Sequence, residues 1–184
     1  MYKSHKADMD MDRVIEEYKA ATDEGLVSFA QVVRDEAGAR IDKPDNKRYY
    51  ALGMVSERAA DDIEGLTGID AGGYKRSIKG SSIGHIERRH GPNGKQDHSM
   101  ADINDYGRIQ YVLDNYDSIE LTFDQNGKQT FSDEFKDSNS RPAPLVTYRK
   151  RIDGMFYVIE AVPNAKVKTL QIVSAYKVAG MGKC

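Results

Sequence analysis

The sequence contains no tryptophan, a single cysteine and no long run of apolar residues. Since Cys184 has no second cysteine to pair with, an internal disulfide framework is excluded. No apolar segment approaches the length of a membrane span, and the first residues show no signal-peptide core. We therefore expect a soluble protein with no membrane partner.

The chain also has little net charge. Its 27 Lys and Arg residues are balanced by 29 Asp and Glu residues, which gives a formal charge of −2 and a pI of about 6.1. This balance argues against a protein that coats nucleic acid through bulk positive charge. An enzyme that cuts nucleic acid needs only a local basic patch, so that class remains open.

The first forty residues are acidic and helix-prone, with apolar residues at helical spacing in segments 10–21 and 24–37. The polar segment 42–47, which contains Pro44, is the best internal boundary. We therefore predict an N-terminal helical arm over residues 1–46 and one main domain over residues 47–184.

In the main domain, helical patterns precede a series of strands. We predict helices over 57–66 (capped by Ser56), over 82–90 (capped by Ser81 or Ser82) and over 103–113. Predicted strands cover 48–55, 74–78, 119–123, 128–131, 145–152, 155–162 and 167–178, with a charged loop over 133–144. This order predicts an α+β fold in which N-terminal helices pack on a C-terminal antiparallel sheet.

The densest group of reactive side chains lies in the predicted helix that Gly91 and Pro92 terminate. At about 100° per residue, His90 shares a face with two isoleucines, whereas His85 and Arg89 lie opposite, flanked by Arg88. Imidazoles transfer protons near neutral pH and guanidiniums bind phosphate. The helix therefore offers at most half of a catalytic site, and the sheet has to supply the rest.

These groups suit cleavage of RNA by its own 2′-hydroxyl, which needs a base, an acid and a cation on the phosphate. The two arginines favour the neutral form of His85, and the helix dipole favours the charged form of His90. We expect His85 to act as base, His90 as acid and Arg89 as phosphate ligand, although the sequence leaves the exchange of the two histidine roles open.

Other interpretations of the same residues stay open. A histidine-rich turn is also typical of a helix end with one histidine in the core and solvated arginines. His85, His90 and His98 could bind a metal with Asp97, but their spacing matches no zinc pattern. Nucleotide-binding fingerprints are absent, so we expect neither a metal nor a cofactor. A transferase that uses a nucleotide such as NAD is a further hypothesis.

The last predicted strand is the second candidate region. Alternation places Leu170, Ile172, Ser174 and Tyr176 on one face, where the two hydroxyls could line a cleft or simply run out into solvent. Basic residues on the helix and strands are candidate contacts to RNA: Arg88, Arg149, Lys150 and Lys177.

Residues 83–91 resemble the "HI…RHG" helix of phage-associated nuclease domains in the barnase/EndoU/colicin/RelE-like superfamily. Downstream, segments 102–115, 148–150, 157–161 and 170–176 follow the order of that family, which ends in a hydroxyl-x-Tyr motif. The likeness spans residues 49–178. It implies helices packed on an antiparallel sheet of about four strands, and a ribonuclease that needs no metal.

The resemblance also implies which residues act and in what setting. It maps the active residues of the family onto His85, His90, Ser174 and Tyr176, with Arg89 as the nearest phosphate ligand. Together with the 2′-hydroxyl chemistry above, this predicts RNA as substrate and a 2′,3′-cyclic phosphate as product, while the choice among tRNA, mRNA and rRNA stays open. It implies an effector carried by a phage or mobile element or mounted on a polymorphic toxin, acting in the cytoplasm of a cell and restrained by an inhibitor or immunity protein. The alternative is an inactive nuclease-like module that serves as a phage structural or partner-binding domain.

Overall fold

A computed structural model describes residues 2–37 and 48–180, with side chains from residue 10 onward; the predicted boundary at 42–47 and Cys184 lie outside these ranges. The described helices are α1 Tyr2–Ala20, α2 Glu24–Ala37, α3 Glu57–Thr67, α4 Gly80–His90, a 3₁₀ helix Ile103–Arg108 and α5 Ile109–Asp114. The described strands are β1 Tyr49–Met54, β2 Lys75–Lys79, β3 Ser118–Leu121, β4 Phe131–Lys136, β5 Pro142–Arg151, β6 Gly154–Ala161 and β7 Thr169–Ala179.

The strands form one sheet in the order β1-β2-β7-β6-β5-β3, and β4 pairs with the beginning of β5. All described pairings are antiparallel except that of β2 with β7. The predicted α+β class is confirmed. The sheet is larger than the predicted C-terminal meander, because β1 and β2 extend it beyond β7.

Three local predictions differ from the structure in part. The predicted helix over 103–113 begins as a 3₁₀ turn, where Asp23 at the start of α2 donates its N–H to the carbonyl of Gly107. The predicted loop over 133–144 contains β4, because Phe135 is buried in a small second core with Ala143. Helix α4 starts directly after β2 without a side-chain cap from a serine, whereas the predicted Ser56 cap of α3 is confirmed.

The main core lies between one face of the sheet and the helices. Helix α2 contributes Leu26, Ala30 and Val33 to this core, and α1 contributes Tyr18. The Tyr18 hydroxyl donates to the buried carboxylate of Asp105, which also accepts from Lys177 of β7 at 2.6 Å. Helix α1 is thereby bonded, through Asp105, to the last strand. The division of the chain at residue 46 stays a prediction.

Three side chains without solvent exposure form a polar cluster inside this core. Arg76 of β2 donates to the Glu160 carboxylate of β6 at 3.0 Å, although β7 lies between their strands. Tyr148 of β5 donates its hydroxyl proton to Glu160 at 2.6 Å and accepts from Arg76 at 3.1 Å. Burial and the Glu160 carboxylate raise the pKa of Tyr148 well above its usual value, so its hydroxyl remains protonated. The cluster connects β2, β6 and β5.

Removing one member of this buried cluster leaves the other two with fewer hydrogen bonds in a medium that solvates charge poorly. Glu160→Gln is expected to lower the free energy of unfolding by about 3–5 kcal/mol, measured by urea denaturation. The control Glu36→Gln breaks a half-exposed pair with Arg48 and is expected to cost no more than about 1 kcal/mol. Replacing the whole cluster by Arg76→Met, Tyr148→Phe and Glu160→Leu should recover most of the loss. Equal effects of Glu160→Gln and Glu36→Gln would contradict this assignment.

Candidate functional site

A β-bulge in β7 decides which side chains reach the open face of the sheet, away from the helices. Glu160 pairs with Ile172 but Ile159 pairs with Ser174, so Val173 is an extra residue in β7. Ile172, before the bulge, and Ala175, after it, both lie in the main core, although they are three residues apart instead of two. The prediction that Leu170, Ile172, Ser174 and Tyr176 share one face was therefore wrong, because the inserted residue shifts the alternation.

The open face carries a continuous row of stacked side chains. The His90 ring stacks on Tyr176 with 5.0 Å between ring centres and 21° between planes. Tyr176 stacks in turn on Tyr157 at 5.0 Å and 17°. The Arg149 guanidinium lies 5.5 Å from the centre of the Tyr157 ring and forms an ion pair with Glu120 of β3. We call these four residues, Arg149, Tyr157, Tyr176 and His90, the aromatic row; it joins β5, β6, β7 and α4.

Helix α4 reaches the row because pairing of β2 with β7 ends at Ile78 and Ile172, and the chain turns directly into the helix. The helix then packs beside the rest of β7 with Ile83 and Ile86 fully buried. Glu87 is also buried and forms an ion pair with Arg34 of α2. The predicted placement of His90 on the face of the two isoleucines is confirmed, and only 6% of the residue is exposed.

The loop after α4 folds back on the end of the helix and satisfies carbonyl groups that a free helix end would leave open. Backbone N–H groups of the loop donate to four carbonyls of the helix. Gly91 donates to Glu87 and Lys95 donates to Arg88. Gln96 and Asp97 both donate to Arg89, and Met100 donates to His90. Gly94 passes so close to the carbonyl of Arg89 that a β-carbon there would overlap it. The end of α4 is therefore fixed by backbone contacts.

Asp97 in this loop contacts His90 directly. Its Oδ1 lies 2.9 Å from His90 Nδ1 and accepts the Ser99 amide N–H at 3.0 Å. Partial burial raises the pKa of Asp97, but hydrogen bonds from Ser99 and His90 outweigh it and hold this pKa below its usual value. Ser99 Oγ in turn accepts the backbone N–H of Lys177 at 3.0 Å. The loop is thus bonded both to His90 and to β7.

His85 lies five residues before His90 in α4, about 140° around the helix axis, and is half-buried. Burial lowers its pKa, and the nearby guanidiniums of Arg89 and Arg88 and the imidazole of His90 lower it further. Both arginines are exposed beside it. His85 is therefore a neutral imidazole at pH 7, available to accept a proton.

The remaining candidates divide between the two faces of the sheet. Ser174 is 7% exposed and, two residues before Tyr176, lies on the face of the aromatic row. Lys150 and Lys177 lie on the helix side, where they form ion pairs with Asp117 at 3.2 Å and Asp105 at 2.6 Å. The structure thus brings His90, Ser174, Tyr176 and Arg149 to one face of the sheet. His85, Arg88 and Arg89 lie elsewhere around α4, and the two lysines face the helices.

Sequence reasoning missed Tyr157 and considered Asp97 only as a metal ligand. Nothing in the sequence distinguishes Tyr157 from the strand residues around it. Its pairing with Tyr176 depends on the bulge in β7, which the sequence pattern does not reveal. Asp97 carries a weak signal, because Asp-x-Ser after a helix end is typical of a side chain that accepts from the backbone two residues on.

Among residues 10–37 and 48–180, no three His, Cys, Asp or Glu side chains come together in a way that could hold a metal ion. Over the part of the chain that the structure describes, no helix combines the length and the apolar character needed to cross a bilayer.

Imidazole, guanidinium and hydroxyl groups on the open face of an antiparallel sheet, with a helix at its edge, are the groups that a nuclease-like α+β domain uses. The chain belongs to the family described as phage-Barnase-EndoU-ColicinE5/D-RelE like nuclease3, whose model matches residues 53–183. No curated protein and no solved structure matches the chain. The predicted relationship is confirmed, and helices α1 and α2 precede the matched segment.

Gly94→Ala tests whether the loop holds the end of α4. The added methyl group overlaps backbone carbonyls of Arg89 and Asp97, so we expect a loss of about 1–3 kcal/mol in the free energy of unfolding. Gly65→Ala is the matched control, because the β-carbon there meets nothing within 4 Å inside α3. It should raise stability by about 0.5–1 kcal/mol, since alanine favours a helix. Chemical denaturation measures both, and a stabilising Gly94→Ala would contradict the close approach.

Proposed function

We propose that this nuclease-family chain is a metal-independent endoribonuclease that cleaves RNA by transesterification to a 2′,3′-cyclic phosphate. The single observation that carries the proposal is the 5.0 Å stacking of His90 on Tyr176. It joins the helix histidine and the hydroxyl-x-Tyr end of β7 in one place, although 86 residues separate them in the sequence. Family membership supports a nuclease, and the groups at the row support RNA as its substrate.

The proposed reaction begins when neutral His85 takes the proton of the ribose 2′-hydroxyl. The 2′-oxygen attacks the phosphorus, and the bond from phosphorus to the 5′-oxygen breaks as the cyclic phosphate forms. Protonated His90 gives its proton to the leaving 5′-oxygen through Nε2, since Nδ1 faces Asp97. Exposed Arg89 stabilises the charge that develops on the phosphate.

The sheet supplies the contacts that orient the RNA. Burial raises the pKa of Tyr176, and the nearby Tyr157 raises it further, so the Tyr176 hydroxyl stays protonated and donates to a phosphate oxygen. Ser174 acts beside it on the same face. Arg149 and exposed Arg88 are the proposed RNA contacts, in preference to Lys150 and Lys177, which face the helices.

In this proposal the chain is an effector of a phage, mobile element or polymorphic toxin that acts on cytoplasmic RNA, tRNA included. A protein that cuts such RNA needs an inhibitor in the cell that makes it, so we propose a cognate inhibitor or immunity partner.

A second candidate function is an inactive nuclease-like module that binds a partner. The observation that favours it is the 6% exposure of His90, whose ring is stacked on one side and hydrogen-bonded at Nδ1. A formal charge of −2 also gives little general attraction for RNA.

Cleavage of total RNA in EDTA separates the two candidates. The wild type should cut, and His85→Ala and His90→Ala should each lower the rate by about 10²–10⁴-fold, because each removes a proton-transfer group. His98→Ala is the matched control, since His98 is exposed and should leave the rate unchanged. A 2′,3′-cyclic phosphate detected by ³¹P NMR would support transesterification. Intact RNA with the wild type would favour the partner-binding module.

The pH dependence of kcat/KM tests the role of His85. Because its pKa lies below the ordinary 6.5, the neutral base persists as the pH falls, and activity should decline only below that value. Arg89→Ala removes one charge that lowers the pKa, so the acidic limb of the profile should move to higher pH. Arg13→Ala, which removes an exposed arginine of α1, should leave the limb in place. An unmoved limb in Arg89→Ala would contradict His85 as the base.

A further inference from the structure

The arrangement around His90 leaves one ring nitrogen for chemistry. Nδ1 lies 2.9 Å from Asp97, and one face of the ring is covered by Tyr176. An ionised carboxylate can only accept hydrogen bonds, so it requires that Nδ1 carry a proton. Nε2 is therefore the nitrogen that remains to meet a substrate.

Asp97 is fixed by two hydrogen bonds that do not involve His90. Its backbone N–H donates to the carbonyl of Arg89 at 3.1 Å, and its Oδ1 accepts from the Ser99 amide. The hydrogen bonds that lower the pKa of Asp97 keep its carboxylate ionised near neutral pH. The acceptor thus has both a fixed position and a fixed charge.

The carboxylate is not needed to cap α4. Every bond from the loop to the helix carbonyls comes from a backbone N–H, including that of Asp97. The Asp97 side chain is 43% exposed, yet it contacts a histidine side chain of which only 7% is exposed. The contact of the carboxylate with His90 is therefore separate from the structural role of the loop backbone.

The same loop also sets the distance between α4 and β7. Beyond Ile172, β7 has no pairing with β2, and Ser99 Oγ accepts the Lys177 N–H on this stretch. Lys177 directly follows Tyr176, on which the His90 ring is stacked. The segment 97–99 therefore contacts the ring of His90 and the backbone of the residue that follows Tyr176.

We propose that Asp97 is a positioning residue, which holds His90 in its Nδ1-protonated form on Tyr176 and leaves Nε2 for the RNA. The proposal rests on the endoribonuclease function inferred above. Asp97 does not touch the reacting atoms; it acts through His90, as carboxylates that orient an imidazole do in other enzymes.

Long-range ¹H–¹⁵N correlation spectra of protein labelled in histidine identify the protonated nitrogen without any need for activity. The wild type should show His90 with the proton on Nδ1, and Asp97→Ala should shift it toward Nε2. In the RNA assay, Asp97→Ala should lower kcat by about tenfold or more, less than His90→Ala, with KM little changed. Asp97→Glu, which keeps a carboxylate, should restore part of both signals.

Asp70→Ala is the matched control, since Asp70 accepts the amide of Gly72 at 2.9 Å just as Asp97 accepts that of Ser99. Both variants should melt at similar temperatures, and Asp70→Ala should leave the His90 spectrum and kcat unchanged. An Asp97→Ala variant that keeps Nδ1 protonated and full kcat would overturn the proposal. If the spectrum changes but even the wild type leaves RNA intact, the orienting contact stands and the ribonuclease function fails.

Discussion

The buried ion pair between Arg76 and Glu160 is the interaction on which the rest of the structure depends. Glu160 is the residue of β6 at which the register with β7 shifts. Arg76 reaches it across β7, so the arginine fixes both the parallel strand β2 and the bulge between them. A buried carboxylate tolerates few alternative positions, because any slip by one residue would turn it to the other face without its partner.

The positions of the site residues follow from this pair through the bulge and the two ends of α4. The bulge turns Tyr176 to the open face, where it meets Tyr157 across the strand pair. The end of β2 sets where α4 begins, and the loop of residues 91–100 sets where it ends. His90 then meets Tyr176 because both ends of its helix are fixed. The site is assembled from elements that are each determined elsewhere in the fold.

Local patterns were sufficient for some of this arrangement and not for the rest. The 3.6-residue period predicted that His90 shares a face with Ile83 and Ile86, because the faces of a helix follow from its own sequence spacing. The face of Tyr176 could not be predicted by alternation, since the bulge depends on Arg76, 84 residues before Glu160 in the sequence. Tyr157 was missed for the same reason. Asp97 was considered only as a metal ligand, because its contact with His90 depends on how the loop folds back.

The bonds of Tyr18 and Lys177 to Asp105 show that the family segment differs from the segment that packs together in the structure. The family match begins at residue 53, so the segment shared with relatives excludes α1 and α2. Yet Tyr18 of α1 shares the Asp105 carboxylate with Lys177, the neighbour of Tyr176. The segment matched by the family model and the segment that packs as one unit thus have different limits in the sequence. A domain transplanted by its family limits alone would keep the pair of Lys177 with Asp105 but lose the Tyr18 hydroxyl that donates to the same carboxylate.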